Sequence, residues 1–168
     1  MGGSLKGMGP SARKLSIVVR PRMARQTELP HRGPLKPRQQ HFMGLNILLV
    51  DDSGVMRKLV SKALRQAGLD ISGTVEASNG QEGLDALGAG KVDVVLCDWN
   101  MPVMDGLTFV KEARPNHKVP IIMLTTESGD DKMAAALEAG ADGYITKPFT
   151  PEKLGERIQF VTEQRKSA

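Results

Sequence analysis

Three aspartates, a threonine and a lysine are the residues of this chain whose types and placement could do chemistry together. Asp51 and Asp52 close the aliphatic run Ile47 to Val50, Asp98 closes Val94 to Cys97, Thr125 follows Ile121 to Leu124, and Lys147 comes just after Gly143 to Ile145. Short apolar runs bounded by polar residues are what strands buried on both faces look like. In a parallel α/β sheet, ligands bind at the carboxyl ends of the strands, so all five side chains would share one edge. Carboxylates crowded there raise one another's pKa unless something positive lies among them. Their oxygens, with a backbone carbonyl and waters, are the hard donors that Mg²⁺ prefers, the more so when a phosphoryl group adds its own. Lys147 brings a compact cation and Thr125 a hydroxyl. Together they supply what phosphoryl transfer to a carboxylate needs: a nucleophile, and a metal and a cation to neutralise the phosphoryl oxygens. Taken singly, each has a plainer reading: Asp98 as a helix cap or loop carboxylate, Lys147 as a surface lysine, Thr125 as a strand-end residue.

The elements that must position them follow from the spacing of apolar residues. Ser53 can cap a helix in which Met56, Leu59, Val60, Ala63, Leu64 and Ala67 fall at helical spacing, and Gly68 ends it. A weaker strand runs from Ile71 to Glu76. Asn79 opens a second helix with Leu84 and Leu87 inward, stopped around Gly88 to Gly90. Beyond Asp98, Asn100-Met101-Pro102 and Asp105-Gly106 make a loop before a helix from about Leu107 to Ala113, which must end before Pro115. An Ala-rich helix from about Asp130 to Ala139 and a last one from Pro151, a residue suited to a first helical turn, to about Thr162 complete the chain. Five βα repeats of this length imply a parallel sheet with right-handed crossovers and helices on both faces.

Residues 1–42 carry nine Lys/Arg against Glu28 alone, net +8, whereas residues 43–168 carry fourteen against eighteen acids, net −4. The overall charge of +4 is the sum of a basic arm and an acidic domain, and carries no argument for nucleic acid. With five of the ten prolines and no sustained period, residues 1–42 are expected to be disordered, ahead of a domain spanning 43–168. They are rich in Arg, like a transit peptide, but the prolines oppose an amphipathic helix; upstream or added sequence before a natural start at Met43 is the simpler account. Cys97 is the one cysteine, which rules out a disulfide framework and suits a packing role in a reducing, cytoplasmic setting. No aliphatic run approaches the length of a membrane span.

The motifs LLVDDS, DWNMPVMDG and GADGYITKPF carry a resemblance. From about Leu45 to Val161 the chain resembles the receiver domain of two-component response regulators, and in the run Asp98 to Pro102 and in Tyr144 it is most similar to the single-domain chemotaxis members. The resemblance implies a flavodoxin-like, doubly wound five-stranded parallel sheet in the order 2-1-3-4-5, with five helices. It implies that Asp98 accepts a phosphoryl group from a histidine kinase (CheA-like) or a small donor. Asp52 and Asp98 would bind Mg²⁺ directly, Asp51 through water, and the carbonyl of Asn100 would complete the set; Mn²⁺ could substitute. Lys147, joined to Pro148 by a cis bond, would pair with the phosphoryl group, Thr125 would move toward it, and Tyr144 would turn inward. Asn100 and Glu127 stand where this family tunes the approach of water, and their polarity suits a phosphoryl group lost fairly quickly. Ser53 departs from the aromatic residue of the chemotaxis members, and Thr126 from the smaller residue common there.

A partner face is implied on the fourth helix, last strand and last helix, with Asp130, Met133, Tyr144, Thr146, Phe149 and Arg157. The partners would be the kinase, a downstream protein such as a flagellar switch component, and a phosphatase. The chain reads as a phosphorylated signalling switch rather than an enzyme, catalysing only its own phosphorylation and dephosphorylation. Only a few residues follow the last helix, so no output domain is expected after it. A phosphate carrier in a phosphorelay is the nearest alternative. A haloacid-dehalogenase-type phosphatase would need a second Asp two residues beyond the nucleophile, where Asn100 stands. A flavin-binding flavodoxin would need a phosphate cradle where Asp51-Asp52 would repel one.

Overall fold

Five strands form the sheet of a computed structural model that describes residues 44–126 and 129–167. They are β1 (Leu45–Val50), β2 (Ile71–Ala77), β3 (Val94–Asp98), β4 (Ile121–Thr125) and β5 (Gly143–Thr146), all parallel, in the order β2-β1-β3-β4-β5. The helices α1 (Gly54–Gln66), α2 (Gly80–Ala89), α3 (Gly106–Ala113), α4 (Asp130–Glu138) and α5 (Pro151–Ser167) connect them. This is the doubly wound architecture expected.

The three inner strands are apolar from Ile47 to Val50, Val94 to Cys97 and Ile121 to Leu124, because each of these residues has a core on its own side. Ile47, Leu49, Val94, Leu96, Ile122 and Leu124 point to one core, closed by Val60, Ala63 and Leu64 of α1 and Leu154, Ile158 and Val161 of α5. Leu48, Val50, Val95, Cys97, Ile121 and Met123 point to the other, closed by Leu87 of α2, Phe109, Val110 and Ala113 of α3, and Ala136 of α4. Each such large side chain contributes about 1.5–3 kcal/mol by leaving water. The edge strand β2 is exposed along most of its length, which explains its weak pattern in the sequence.

Helix starts lie where the capping residues placed them. Ser53 accepts from the Met56 N–H, Asn79 from Glu82 and Asp105 from Thr108. Two expectations are revised. Leu59 falls at helical spacing with the buried positions but is 53% exposed, because the arc that α1 buries is centred on Val60, Ala63 and Leu64, about one residue's rotation away. The last helix continues past Thr162 to Ser167. Its apolar face stops at Val161, so periodicity fades before the helix does; there the Thr162 hydroxyl donates to the Ile158 carbonyl and Arg165 pairs with Asp142. Among the described residues no helix is long and apolar enough to cross a membrane.

Candidate functional site

Strand register brings Asp51, Asp98, Thr125 and Lys147 to one edge, with Asp52 next in the chain after Asp51. Val50 pairs with Cys97, so Asp51 and Asp98 emerge side by side; Asp98 pairs with Leu124 and Thr125 with Thr146, so Thr125 and Lys147 emerge next along the same rim. The Lys147 N–H donates to the Thr125 carbonyl at 2.6 Å, extending the ladder one step beyond β5. The Lys147–Pro148 bond is cis. Gly106 closes the floor. Its N–H donates to the Trp99 carbonyl at 2.9 Å, and any Cβ there would overlap the Asp98 carbonyl oxygen, so only glycine lets α3 begin this close to the strand.

Carboxylate oxygens of Asp51, Asp52 and Asp98 all lie within 4.8 Å of one another. Lys147 Nζ donates to Asp98 Oδ1 at 2.8 Å and to Asp51 Oδ2 at 3.0 Å. The side chains of Lys147 and Asp51 are 9% and 8% exposed, so this is a largely desolvated pair, while Asp52 opens to solvent. The other oxygen of Asp51, Oδ1, accepts the Ser53 N–H at 2.8 Å. Asp51 therefore has both oxygens engaged within the protein, whereas Asp52 is exposed. Three carboxylates against one ammonium leave a formal charge of −2, and the oxygen-only donor set is of the type a small divalent cation takes.

Burial raises the Asp98 carboxyl above its ordinary value; Lys147 pulls it down, but its charge is shared with Asp51, whose own charge pushes upward. For Lys147, burial would lower the pKa, yet the hydrogen bonds to Asp98 and Asp51 outweigh it and the net direction is up. The pair is thus held with the lysine firmly charged and Asp98 a better base than a solvated aspartate. Burial, followed by the charge of Asp98, pushes the Cys97 thiol well above its usual value, consistent with a residue that only packs.

Thr125 is fully buried at the rim, Thr126 is exposed, and Asn100 lies on the exposed loop after Asp98. Glu127 lies outside the described residues. Of the six residues expected on a partner face, Asp130, Met133, Tyr144 and Thr146 line one open groove of ≈390 Å³ between α4 and β5. Arg157 lies against the other side of β5, its stem beside Gly143 and its guanidinium 5.7 Å from the Phe160 ring centroid. Phe149 is placed apart from them: it packs on the α1/α5 core and lines a separate groove with Met56, Leu59 and Ala63.

One supporting residue escaped the sequence reading. Arg57 of α1 donates to the Asp51 carbonyl at 2.6 Å and to Glu76 at 2.7 Å, bracing the acidic turn against β2. A side chain whose partner is a backbone carbonyl leaves no pattern in the sequence.

A doubly wound parallel sheet with an acidic cluster and a lysine at its carboxyl edge is the form of a phosphate-handling signalling domain. The chain belongs to the response regulator receiver domain family, whose model matches residues 47–159. It is 43% identical over 121 residues to a chemotaxis protein CheY homolog of Campylobacter jejuni, covering 70% of this chain and 92% of that protein. It is 40% identical to chemotaxis protein CheY1 of Helicobacter pylori over 121 residues, covering 70% of this chain and 96% of that one. Among solved structures, chemotaxis protein CheY4 of Vibrio cholerae matches with a TM-score of 0.63 at 39% identity, covering 70% of this chain and 98% of that one.

Proposed function

We propose that this protein is a phosphorylation-activated switch in which Asp98 accepts a phosphoryl group from a histidine kinase or a small acyl phosphate. The observation that carries the reading is the Lys147 ammonium bridging Asp98 and Asp51 inside a cluster of three carboxylates. An Asp98 oxygen attacks phosphorus as the bond to the donor's nitrogen or acyl oxygen breaks, and Lys147 exchanges its bond to Asp98 for one to a phosphoryl oxygen. Asp52, Asp98 and the Asn100 carbonyl would hold Mg²⁺, or Mn²⁺ in its place, with Asp51 reaching it through water because both Asp51 oxygens are already engaged. The metal would neutralise charge on the transferred group. Thr125 follows the new charge, and the groove of Asp130, Met133, Tyr144 and Thr146 changes shape to admit a target. Asn100 and Glu127 would govern how fast water removes the phosphoryl group. The similarity to CheY proteins favours a chemotaxis or motility pathway, with a CheA-like kinase upstream and a flagellar switch component downstream.

With a small acyl phosphate and Mg²⁺, the wild-type protein should take up about one equivalent of acid-labile phosphate, a chelator should prevent it, and Asp98→Asn should abolish it. Stoichiometric labelling of Asp98→Asn would sink the assignment.

A further inference from the structure

The first turn of α4 carries Asp130 and Asp131, which suit the positive end of the helix dipole, and then Lys132, which does not. The lysine is turned toward the neighbouring sheet end instead: its Nζ lies 5.3 Å from the centroid of the Trp99 ring, within range of cation–π attraction. Trp99 directly follows Asp98 and packs, half-buried, on the core beneath α3 and α4. The helix this contact reaches is lightly held. Ala136 is its one fully buried residue, and Gly129 at its N-cap has no side chain to cap it.

We infer that Lys132 is a positioning residue that ties the first turn of α4 to the acceptor through Trp99, so that phosphorylation is felt by α4 along a route separate from Thr125. The inference rests on Asp98 being the acceptor. Phosphorylation turns the single negative charge of the Asp98 carboxylate into roughly two beside the indole. The ammonium over the ring is then drawn toward the new charge, and the helix turn that carries it moves with it. A link of cation–π strength shifts such a population about two- to fivefold, enough to be read in a marginally anchored helix.

Amide NMR of the full chain with Mg²⁺ and beryllofluoride, a phosphoryl mimic, tests it on wild type, Lys132→Met and Lys132→Arg. All three should show the same shift changes at Asp98 and Gly106. Lys132→Met should lose at least half of the response at Asp131 and Met133 and, without the mimic, exchange those amide hydrogens about two- to fivefold faster. Lys132→Arg, which keeps a cation for the ring, should restore both. A wild-type response across α4 in Lys132→Met would overturn the inference. So would equal loss in Lys132→Arg, since a cation over the ring would then not be the cause. No change at Asp98 and Gly106 in the wild-type protein would instead strike the acceptor reading itself, while the exchange rates measured without the mimic would still decide whether Lys132 anchors α4.

Discussion

Val103 holds a backbone conformation that β-branched residues avoid. Its φ is 67°, and the Met104 N–H reaches back to the Pro102 carbonyl at 2.7 Å, closing a three-residue turn around it. The side chain is 86% exposed, so no packing offsets the strain. Val103→Asn, a residue that tolerates positive φ, should stabilise the fold by about 1 kcal/mol, or raise its melting temperature by about 3–5 °C. Val103→Ala, which keeps the Cβ, should gain less; equal melting temperatures for Val103→Asn and wild type would show that the turn is not strained. Residues at strand ends were legible in the sequence for a simple reason. Once β1, β3, β4 and β5 are parallel, the residue after each apolar run has nowhere to go but the shared rim, and so Asp51, Asp98, Thr125 and Lys147 could be grouped before any coordinates. That Asp51 has both oxygens engaged was not legible, since it depends on a turn closing onto Ser53.

At the scale of elements, the end of the sheet opposite the acidic rim is tied by one arginine. Arg114, just past α3, donates to the carbonyls of Gly140, His117 and Val119 and pairs with Asp142 at 2.7 Å, while Asp142 also accepts the Ile121 N–H. Arg114→Met should cost about 2–3 kcal/mol in denaturant unfolding, somewhat less than a fully buried pair because the group is partly exposed. Arg165→Met, removing the more exposed partner of the same Asp142, should cost under about 1 kcal/mol. Equal effects would mean the clasp is not centred on Arg114. At the start of α2, Glu82 accepts the Ser78 N–H and hydroxyl and the Asn79 amide, and these bonds, the backbone one first, hold its carboxyl below the ordinary value. A depressed folded pKa contributes stability above the unfolded value that is lost as pH falls through the folded one. Melting temperatures from pH 6 down to pH 3 should therefore fall less steeply for Glu82→Gln than for wild type; parallel curves would remove Glu82 from the account. Neither device was foreseen in full. Asn79 announced the cap, but Arg114 sits just before Pro115 in what reads as a loop, and its partners lie on a turn brought near only by the finished sheet.

At the scale of the molecule, the sequence changes character at Asn46, and among the described residues the two apolar cores are built from side chains between Leu45 and Val161. A boundary at Met43 is accordingly expected to leave a self-sufficient unit. Residues 43–168 expressed alone should unfold cooperatively within about 2 °C of the full chain and take up phosphate equally well; a large drop in either would move the boundary upstream. The architecture was legible because apolar runs mark the inner strands and capping residues mark the starts of α1, α2 and α3, even where β2 and α4 show weaker signals. The surfaces were less so: Leu59 and Phe149 share a groove beside α1 that no spacing rule joins, since it is made by two chain segments meeting after the sheet is built. The chain has a single tryptophan, and it directly follows Asp98, the proposed acceptor. Tryptophan emission from this protein therefore originates from one address, so a rapid-mixing experiment needs neither label nor engineered probe. The proposed metal capture, phosphoryl transfer and hydrolysis can each be sought in one native signal, and compounds that compete for the acidic rim can be screened by the same light.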